Sequence, residues 1–435
     1  MKELRRSFMK YVSLNILAMI GNSCYILADT FFIANGCGSL SLAALNIALP
    51  VYSFVSGIGQ MISVGAATKY TILKAQGEDQ EANHLFTDAF RLCLLIGICC
   101  TLLVTFFGHT ICSLLGADAS ILELTTTYLR TMMLFGPFFV LNTLLGVFVR
   151  NDGAPGLSMT SVLAGSLFNV VFDYIFIYPM DLGLWGAALA TGCAPMIGIA
   201  INMLHVIRRK NQFRFTGSLL QPIRLSSLTI SCRLGISAFI AEFSNGVVLL
   251  AYNRLMLPLA GNNGVAAYGI VANIALVVIA IFSGVTMGMQ PLISDHYGRG
   301  NQKATRQLIR YGLLLTSILA LTITAAGFLA AEPMVAVFNQ EGNQEMASLA
   351  VPGLRLYFTG FLFAGINMIL SSAYAAMEQA GRAFLISISR GLVLIVPAAI
   401  LMTLCFGLNG LWLAFTVTEL IVVCVSMVAN AIHLA

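Results

Sequence analysis

Long apolar stretches, separated by short polar connections, run along the whole chain. A helix needs about 20 mainly apolar residues to cross the hydrocarbon core of a bilayer. Twelve such runs lie near residues 7–34, 41–68, 87–108, 123–149, 156–178, 183–207, 228–255, 264–292, 309–330, 347–376, 383–404 and 407–432. The first run exceeds a signal-peptide core and lacks a small-residue cleavage pattern, so we interpret it as a retained span. The pattern predicts an all-α membrane protein with twelve transmembrane helices.

The distribution of basic residues tests the number of predicted spans, because these residues are concentrated in every second loop between spans. With the N-terminus inside, the cytoplasmic connections follow the even-numbered spans and should carry the positive charge. Of the 23 lysines and arginines, only Arg130, Arg254 and Arg355 lie near predicted outer ends. The other 20 are Lys2, Arg5, Arg6, Lys10, Lys69, Lys74, Arg91, Arg150, Arg208, Arg209, Lys210, Arg214, Arg224, Arg233, Arg299, Lys303, Arg306, Arg310, Arg382 and Arg390. Both termini are therefore predicted to be cytoplasmic, and the short loops favour a prokaryotic inner membrane.

Composition agrees with a chain that lies mostly in lipid. Hydrophobic residues make up 58% of the sequence and charged residues 9%, with a mean hydropathy of +0.89, whereas a soluble domain carries about 25% charged residues. The net charge of +5 is thus an orientation signal, and no nucleic-acid partner is expected. Most cysteines fall within spans as small apolar residues; Cys37 and Cys112 lie near outer ends and could pair.

The two halves of the chain resemble each other. A shift of 223 residues lays Gly65 on Gly288 and Gly77 on Gly300, and a shift of 224 lays Gly183 on Gly407 and Gly186 on Gly410. We therefore predict two pseudo-symmetric six-helix bundles, at residues 1–210 and 228–435, joined by a cytoplasmic linker at 211–227. Six is an even number, so the pseudo-twofold axis runs along the membrane normal and a cavity between the halves is expected.

Four acidic residues lie well inside spans: Asp29, Asp173, Glu242 and Glu419. An ionisable group at this depth costs about 2.5–3.5 kcal/mol on insertion scales and requires a reason. Asn169 lies four residues before Asp173 and shares its helical face.

No basic residue lies near mid-membrane in the N-terminal half to neutralise Asp29 and Asp173. If the two carboxyl groups meet, they share a proton or hold a metal cation such as Na⁺. The alternative is that each is protonated and hydrogen-bonded for structural reasons. Glu242 could bind a cationic substrate, carry protons or pack as a neutral acid against Asn245, and the sequence assigns no role to Glu419.

Five motifs stand in a specific order and spacing on the twelve predicted helices. They are Asp29-Thr30-Phe31-Phe32-Ile33, Leu42-Ala43-Ala44-Leu45, Asn169 with Asp173-Tyr174, Gly183-Leu184-Trp185-Gly186-Ala187-Ala188 with Ala190-Thr191, and Gln379-Ala380-Gly381-Arg382 with Arg390 and Pro397. Through these motifs the chain resembles the multidrug and toxic compound extrusion (MATE) transporters over essentially its full length. The resemblance implies export of amphipathic, often cationic compounds against inward Na⁺ or H⁺. By position it places the family's cation site on Asp29, Asn169, Asp173 and Thr191; Thr191 comes from the resemblance alone. Some family branches pair a glutamate such as Glu242 with an aspartate in the tenth span, which this sequence lacks.

These observations favour a monomeric secondary antiporter, without cofactor, over three alternatives. A lipid-linked oligosaccharide flippase of the same superfamily would place several basic residues in its cavity, and the spans have almost none. An intramembrane aspartyl protease is expected to contain a G-x-G-D motif, and neither Asp29 nor Asp173 is part of such a motif. A receptor would need longer soluble loops. The sequence leaves open the coupling ion, the substrate and the residues that line the cavity.

Overall fold

The computed structural model describes residues 2–218, 221–339 and 342–434, and nearly all of them are helical, with no strand among them. The α-helices are α1 (Lys2–Gly36), α2 (Ser39–Gln76), α3 (Asp79–Leu114), α4 (Leu122–Met133), α5 (Gly136–Asn151), α6 (Pro155–Ile177), α7 (Gly183–Ile207), α8 (Leu225–Gly298), α9 (Gln302–Leu329), α10 (Ala331–Phe338), α11 (Gln344–Phe358), α12 (Phe361–Ala376), α13 (Ala380–Ile388) and α14 (Ile395–Leu434). A short π-helix, Ser389–Val393, lies between α13 and α14.

The predicted twelve spans agree with these helices once the breaks are considered. Eight helical stretches are long and apolar enough to cross a membrane, and two bent pairs, α4 with α5 (47°) and α11 with α12 (46°), each form one more span. The two longest stretches are each interrupted by one glycine, Gly261 (φ 60°) in α8 and Gly407 (φ 59°) in α14. A helix of 74 residues would be about 110 Å long, so α8 must be two spans. The all-α, twelve-span fold is confirmed.

The glycine breaks also display the internal repeat. Gly261 corresponds to Gly38 (φ 84°) by the 223-residue shift, and Gly407 corresponds to Gly183 (φ 56°) by the 224-residue shift. A positive φ is open to glycine because it has no Cβ. The same local turn therefore recurs at equivalent points between the first and second, and between the fifth and sixth, spans of each half.

Each half has its own apolar core. The largest buried cluster contains residues from 33 to 213, and a second contains residues from 252 to 415. The segment between α7 and α8 belongs to the first of these, because Phe213 is buried against Phe86 with 4.6 Å between ring centroids. The Thr216 amide also donates to Thr87 Oγ1 at 3.0 Å. The boundaries 211 and 227 for a linker remain a prediction.

The halves contact each other through two glycine-lined helix crossings. A Cβ on Gly65 in α2 would overlap the carbonyl oxygen of Ser231 in α8, and a Cβ on Gly288 would lie 2.6 Å from Val12 Cα in α1. These crossings are equivalents under the 223-residue shift, which takes Gly65 to Gly288. Glycine allows such close backbone approach. Both crossings lie toward the side predicted to be cytoplasmic.

Polar contacts reinforce the closure on this side. Gln290 Nε2 in α8 donates to Thr68 Oγ1 in α2 at 2.6 Å, and both side chains are buried. Lys69 Nζ lies 2.8 Å from Glu378 Oε1 in the turn between α12 and α13. The predicted cytoplasmic ends of the two halves are thus held together.

Candidate ion and substrate sites

Three helices of the N-terminal half bring the predicted cation-site residues together. Asp29 comes from α1, Asn169 and Asp173 come from α6, and Thr191 comes from α7. Asn169 and Asp173 are fully buried, and Asp29 is 9% exposed. Because Asn169 and Asp173 are one helical turn apart, both point at the same neighbours.

The Asn169 amide connects α6 to α7. With its nitrogen toward Asp173, it donates to Asp173 Oδ2 at 2.9 Å and accepts from Thr191 Oγ1 at 3.1 Å and from the Thr191 amide at 3.2 Å. Asn169 therefore fixes the orientation of one carboxyl oxygen of Asp173. Thr191 holds Asn169 in place, so three of the four predicted residues form one chain of hydrogen bonds.

Asp29 and Asp173 are close enough to interact directly. If their carboxyl groups form a hydrogen bond, one of the two must carry the proton that it donates. Their remaining oxygens, Asp29 Oδ1 and Asp173 Oδ1, are buried and have no hydrogen-bond partner. Neither residue takes part in any of the ion pairs formed among the described residues. The pair is thus a buried acidic centre with free acceptor capacity.

Oxygen atoms from Asp29, Asp173, Asn169 and Thr191 are the ligand types that a hard cation takes. Among the residues that the structure describes, no group of three or more His, Cys, Asp and Glu side chains could hold a metal. A site here would therefore use only two carboxylates, completed by neutral oxygens. Such a donor set carries little charge, which suits a monovalent cation or a proton.

Sequence reasoning missed three tyrosines near this centre. The hydroxyls of Tyr25, Tyr52 and Tyr128 lie within electrostatic range of Asp29. Tyr25 stands four residues before Asp29, so the helical period could have revealed it. Tyr52 and Tyr128 belong to α2 and α4, and only the tertiary structure brings them here.

Glu242 lies on α8, between two aromatic residues of the same helix. Phe239 and Phe243 stack with 5.8 Å between ring centroids, and Phe54 of α2 meets Phe239 edge-on at 5.8 Å. Tyr52 is within electrostatic range of both Glu242 and Asp29. The aromatic group of Phe54, Phe239 and Phe243 therefore spans the two halves.

Comparison with known proteins agrees with this arrangement. The MatE family model matches residues 15–175 and 238–401, once in each half, with the two matches beginning 223 residues apart. The chain belongs to the MatE family. The predicted family and the class of membrane transporter are confirmed.

Similar proteins are distant in sequence but cover nine tenths of the chain or more. The multidrug export protein MepA of Staphylococcus aureus is 27% identical over 397 residues, which are 91% of this chain and 86% of MepA. A mutant of the Vibrio cholerae MATE transporter VcmN superposes with a TM-score of 0.91 at 21% identity, covering 100% of this chain and 97% of that one.

A MOP superfamily transporter from Pyrococcus furiosus has the same fold, with a TM-score of 0.90, 20% identity and coverage of 99% of this chain and 96% of that one. It is described as having a binding pocket whose reversed polarity suggests a different function. The shared fold by itself therefore assigns no substrate, because function resides in the site and not in the fold.

The MatE resemblance left Glu419 unexplained, and the structure pairs it with Arg390. Arg390 Nη2 lies 2.6 Å from Glu419 Oε1, and Asn367 Nδ2 donates to Glu419 Oε2 at 2.7 Å. Arg390 was expected both among the cytoplasmic charges that orient the spans and within the eleventh span. The structure places it in the π-helix of that span. A guanidinium is tolerated there because Glu419, only 2% exposed, neutralises it.

Proposed function

We propose that this chain exports amphipathic, often cationic organic compounds in exchange for inward-moving Na⁺ or H⁺, by alternating access. The observation that carries the proposal is the buried Asp29–Asp173 pair with unpartnered oxygens. A group that must bind and release a cation cannot be neutralised permanently by a basic residue. The printed function of the MepA relative, multidrug export, supports organic compounds as the substrates.

The contacts between the halves support alternating access. They hold the cytoplasmic ends together at the Gly65 and Gly288 crossings, as in a form that is closed toward the cytoplasm. Cation binding at Asp29 and Asp173 would favour this form, and release of the cation inside would favour the opposite one. A ligand shifts such an equilibrium only through different affinities for the two forms.

A flippase for lipid-linked oligosaccharides remains the alternative, and one contact counts against it. Such a protein needs basic groups to hold pyrophosphate. Arg390, which lies inside the eleventh span, already binds Glu419 through three close nitrogen–oxygen contacts. Its guanidinium is therefore not available to a phosphate.

The proposal is tested with the purified protein in liposomes, loaded with a fluorescent cationic dye. An imposed Na⁺ gradient or H⁺ gradient, directed opposite to dye efflux, is expected to drive the dye against its own gradient. The gradient that works identifies the ion, and collapsing it with the matching ionophore should stop transport. No dye movement under either gradient would overturn the antiport proposal.

Glu242→Gln is expected to weaken transport of cationic dyes while leaving neutral substrates unaffected. The carboxylate beside the stacked Phe239 and Phe243 rings would attract a planar cation through charge and through the ring faces. Loss of one partly buried charge should raise KM for a cationic dye about tenfold. The measurement compares the KM of Glu242→Gln for a cationic dye with its KM for a neutral dye. An equal rise in both KM values would indicate that Glu242 carries protons or has a structural role.

Gly65→Ala is expected to slow transport about tenfold, the effect of about 1.4 kcal/mol on the barrier. Its Cβ would collide with the Ser231 carbonyl and prevent full closure of the cytoplasmic side. The matched control is Gly59→Ala on the same helix, whose Cβ would lie 3.5 Å from Val140 Cγ1, an ordinary contact. The measurement is the initial rate of dye efflux for Gly65→Ala and for Gly59→Ala. Equal rates for the two variants would show that this crossing does not close during transport.

A further inference from the structure

Four short turns connect spans within the two halves on the predicted cytoplasmic side, and they end their helices in the same way. In each turn one residue has a positive φ, and its amide and the next amide donate to carbonyl oxygens of the preceding helix. Three of these residues are Gly77 (φ 84°), Gly153 (φ 90°) and Gly300 (φ 70°). The fourth is Glu378 (φ 60°), between α12 and α13. Glu378 therefore occupies a position where the backbone favours glycine, because a Cβ is crowded there.

The turn that carries Glu378 is fixed to the C-terminal half. The Gln379 amide donates to the Tyr374 carbonyl oxygen at 2.8 Å and so closes the turn on the end of α12. Ser294 Oγ of α8 donates to the Ala376 carbonyl oxygen at 3.1 Å, which joins the turn to a second helix of the same half. The backbone of Glu378 therefore moves with the C-terminal half.

The side chain of Glu378 contacts the other half. Its Oε1 atom lies 2.8 Å from Lys69 Nζ on α2, and the two side chains are 33% and 22% exposed. Thr68, the neighbour of Lys69, accepts the hydrogen bond from Gln290 across the same boundary between the halves. A fully exposed ion pair contributes little, in part because two flexible side chains must be held in one geometry. Here both partners are partly buried, and the fixed turn carries one of them.

We propose that the Lys69–Glu378 ion pair forms only while the cytoplasmic side is closed, and that it helps to set the ratio of the closed form to the form open to the cytoplasm. The inference rests on the alternating access of the proposed function. When the halves separate on this side, both charged groups return to water, so their attraction stabilises the closed form alone. Glycine at position 378 would relieve the backbone but could not reach Lys69, which explains a side chain at this turn.

A second ion pair on α2 provides a matched control. Lys74 Nζ lies 2.8 Å from Asp79 Oδ1 at the start of α3, so this pair has the same separation but lies within the N-terminal half. Its partners stay together when the halves separate. Asp79→Asn should therefore leave the ratio of closed to open protein unchanged.

The test measures the distance between the cytoplasmic ends of the two halves. Spin labels are attached at Gln80→Cys and Gln302→Cys, exposed positions at the starts of α3 and α9, in a background without native cysteines whose transport equals that of the wild type. Double electron–electron resonance of the full-length protein in liposomes, without substrate or gradient, then gives the populations of short and long distances.

Glu378→Gln and Lys69→Met should each lower the ratio of short to long distances about two- to fivefold, the range expected for a partly exposed ion pair. The exchanged pair, Lys69→Glu with Glu378→Lys, should restore most of the ratio. High ionic strength should lower the ratio in the wild type and leave Glu378→Gln unchanged, because salt screens the attraction. A ratio in Glu378→Gln equal to that of the wild type would overturn the proposal.

Glu378→Gly guards against a loss of fold, because glycine suits the positive φ of this turn. It should unfold no earlier than the wild type and still show the lowered ratio, and a wild-type ratio in this variant would also overturn the proposal. The populations separate this proposal from the proposed function. Two populations that do not respond to Glu378 refute the role of the ion pair alone, whereas a single distance in every variant refutes alternating access as well.

Discussion

Asp29→Asn and Asp173→Asn are each expected to abolish gradient-driven transport, to the level of empty liposomes. Asparagine keeps the size and polarity of a protonated aspartic acid but cannot ionise. The substitution therefore preserves a purely structural hydrogen bond while removing the ability to take up and release a cation. Thr191→Val should give a smaller loss, since Thr191 contacts the pair only through Asn169.

The measurement is uphill dye efflux under the gradient that drives the wild type, together with dye binding to the detergent-solubilised protein. Dye binding should survive in both variants, which separates loss of coupling from loss of fold. Glu332→Gln, whose side chain is 77% exposed, is the control and should transport normally. Robust transport in both aspartate variants would favour the alternative in which the two acids are permanently protonated and structural.

Glu419→Gln is expected to destabilise the protein by about 3–5 kcal/mol, because it leaves the Arg390 guanidinium without its counter-charge inside the span. The same substitution in Glu332, the partner of Arg355 at a more exposed surface, should cost at most about 1 kcal/mol. Unfolding midpoints of the two variants in the same detergent give the comparison.

Removing both charges should cost far less than removing one. In Arg390→Met with Glu419→Leu no unpaired charge remains, and apolar replacement of a buried pair is often close to neutral. Asn367 would still lose an acceptor, so a small residual cost is expected. A Glu419→Gln variant as stable as the surface control would mean that water reaches Arg390 and that the pair contributes little.

The sequence predicted most of the fold because lipid imposes strong local rules. Each span must satisfy its backbone hydrogen bonds internally, so length and apolar composition alone locate it. The glycine repeat was also visible in the sequence. A turn with positive φ selects glycine, and Gly183 and Gly407 both adopt such a φ in the structure. Chain pattern could not show that the first strongly bent span breaks into α4 and α5, or that Phe213 ties the inter-half segment to the first core.

For the candidate site, too, the sequence predicts one part and only the tertiary structure shows the other. The cost of a buried carboxyl group singles out Asp29, Asp173, Glu242 and Glu419 from sequence alone, because that cost follows from their depth in the predicted spans. Whether each acid has a partner depends on residues far away in the chain. Only the tertiary structure distinguishes Glu419, neutralised by Arg390, from Asp29 and Asp173, whose Oδ1 atoms lack hydrogen-bond partners. The same holds for Tyr52 and Tyr128, since only the tertiary structure brings α2 and α4 into the neighbourhood of Asp29.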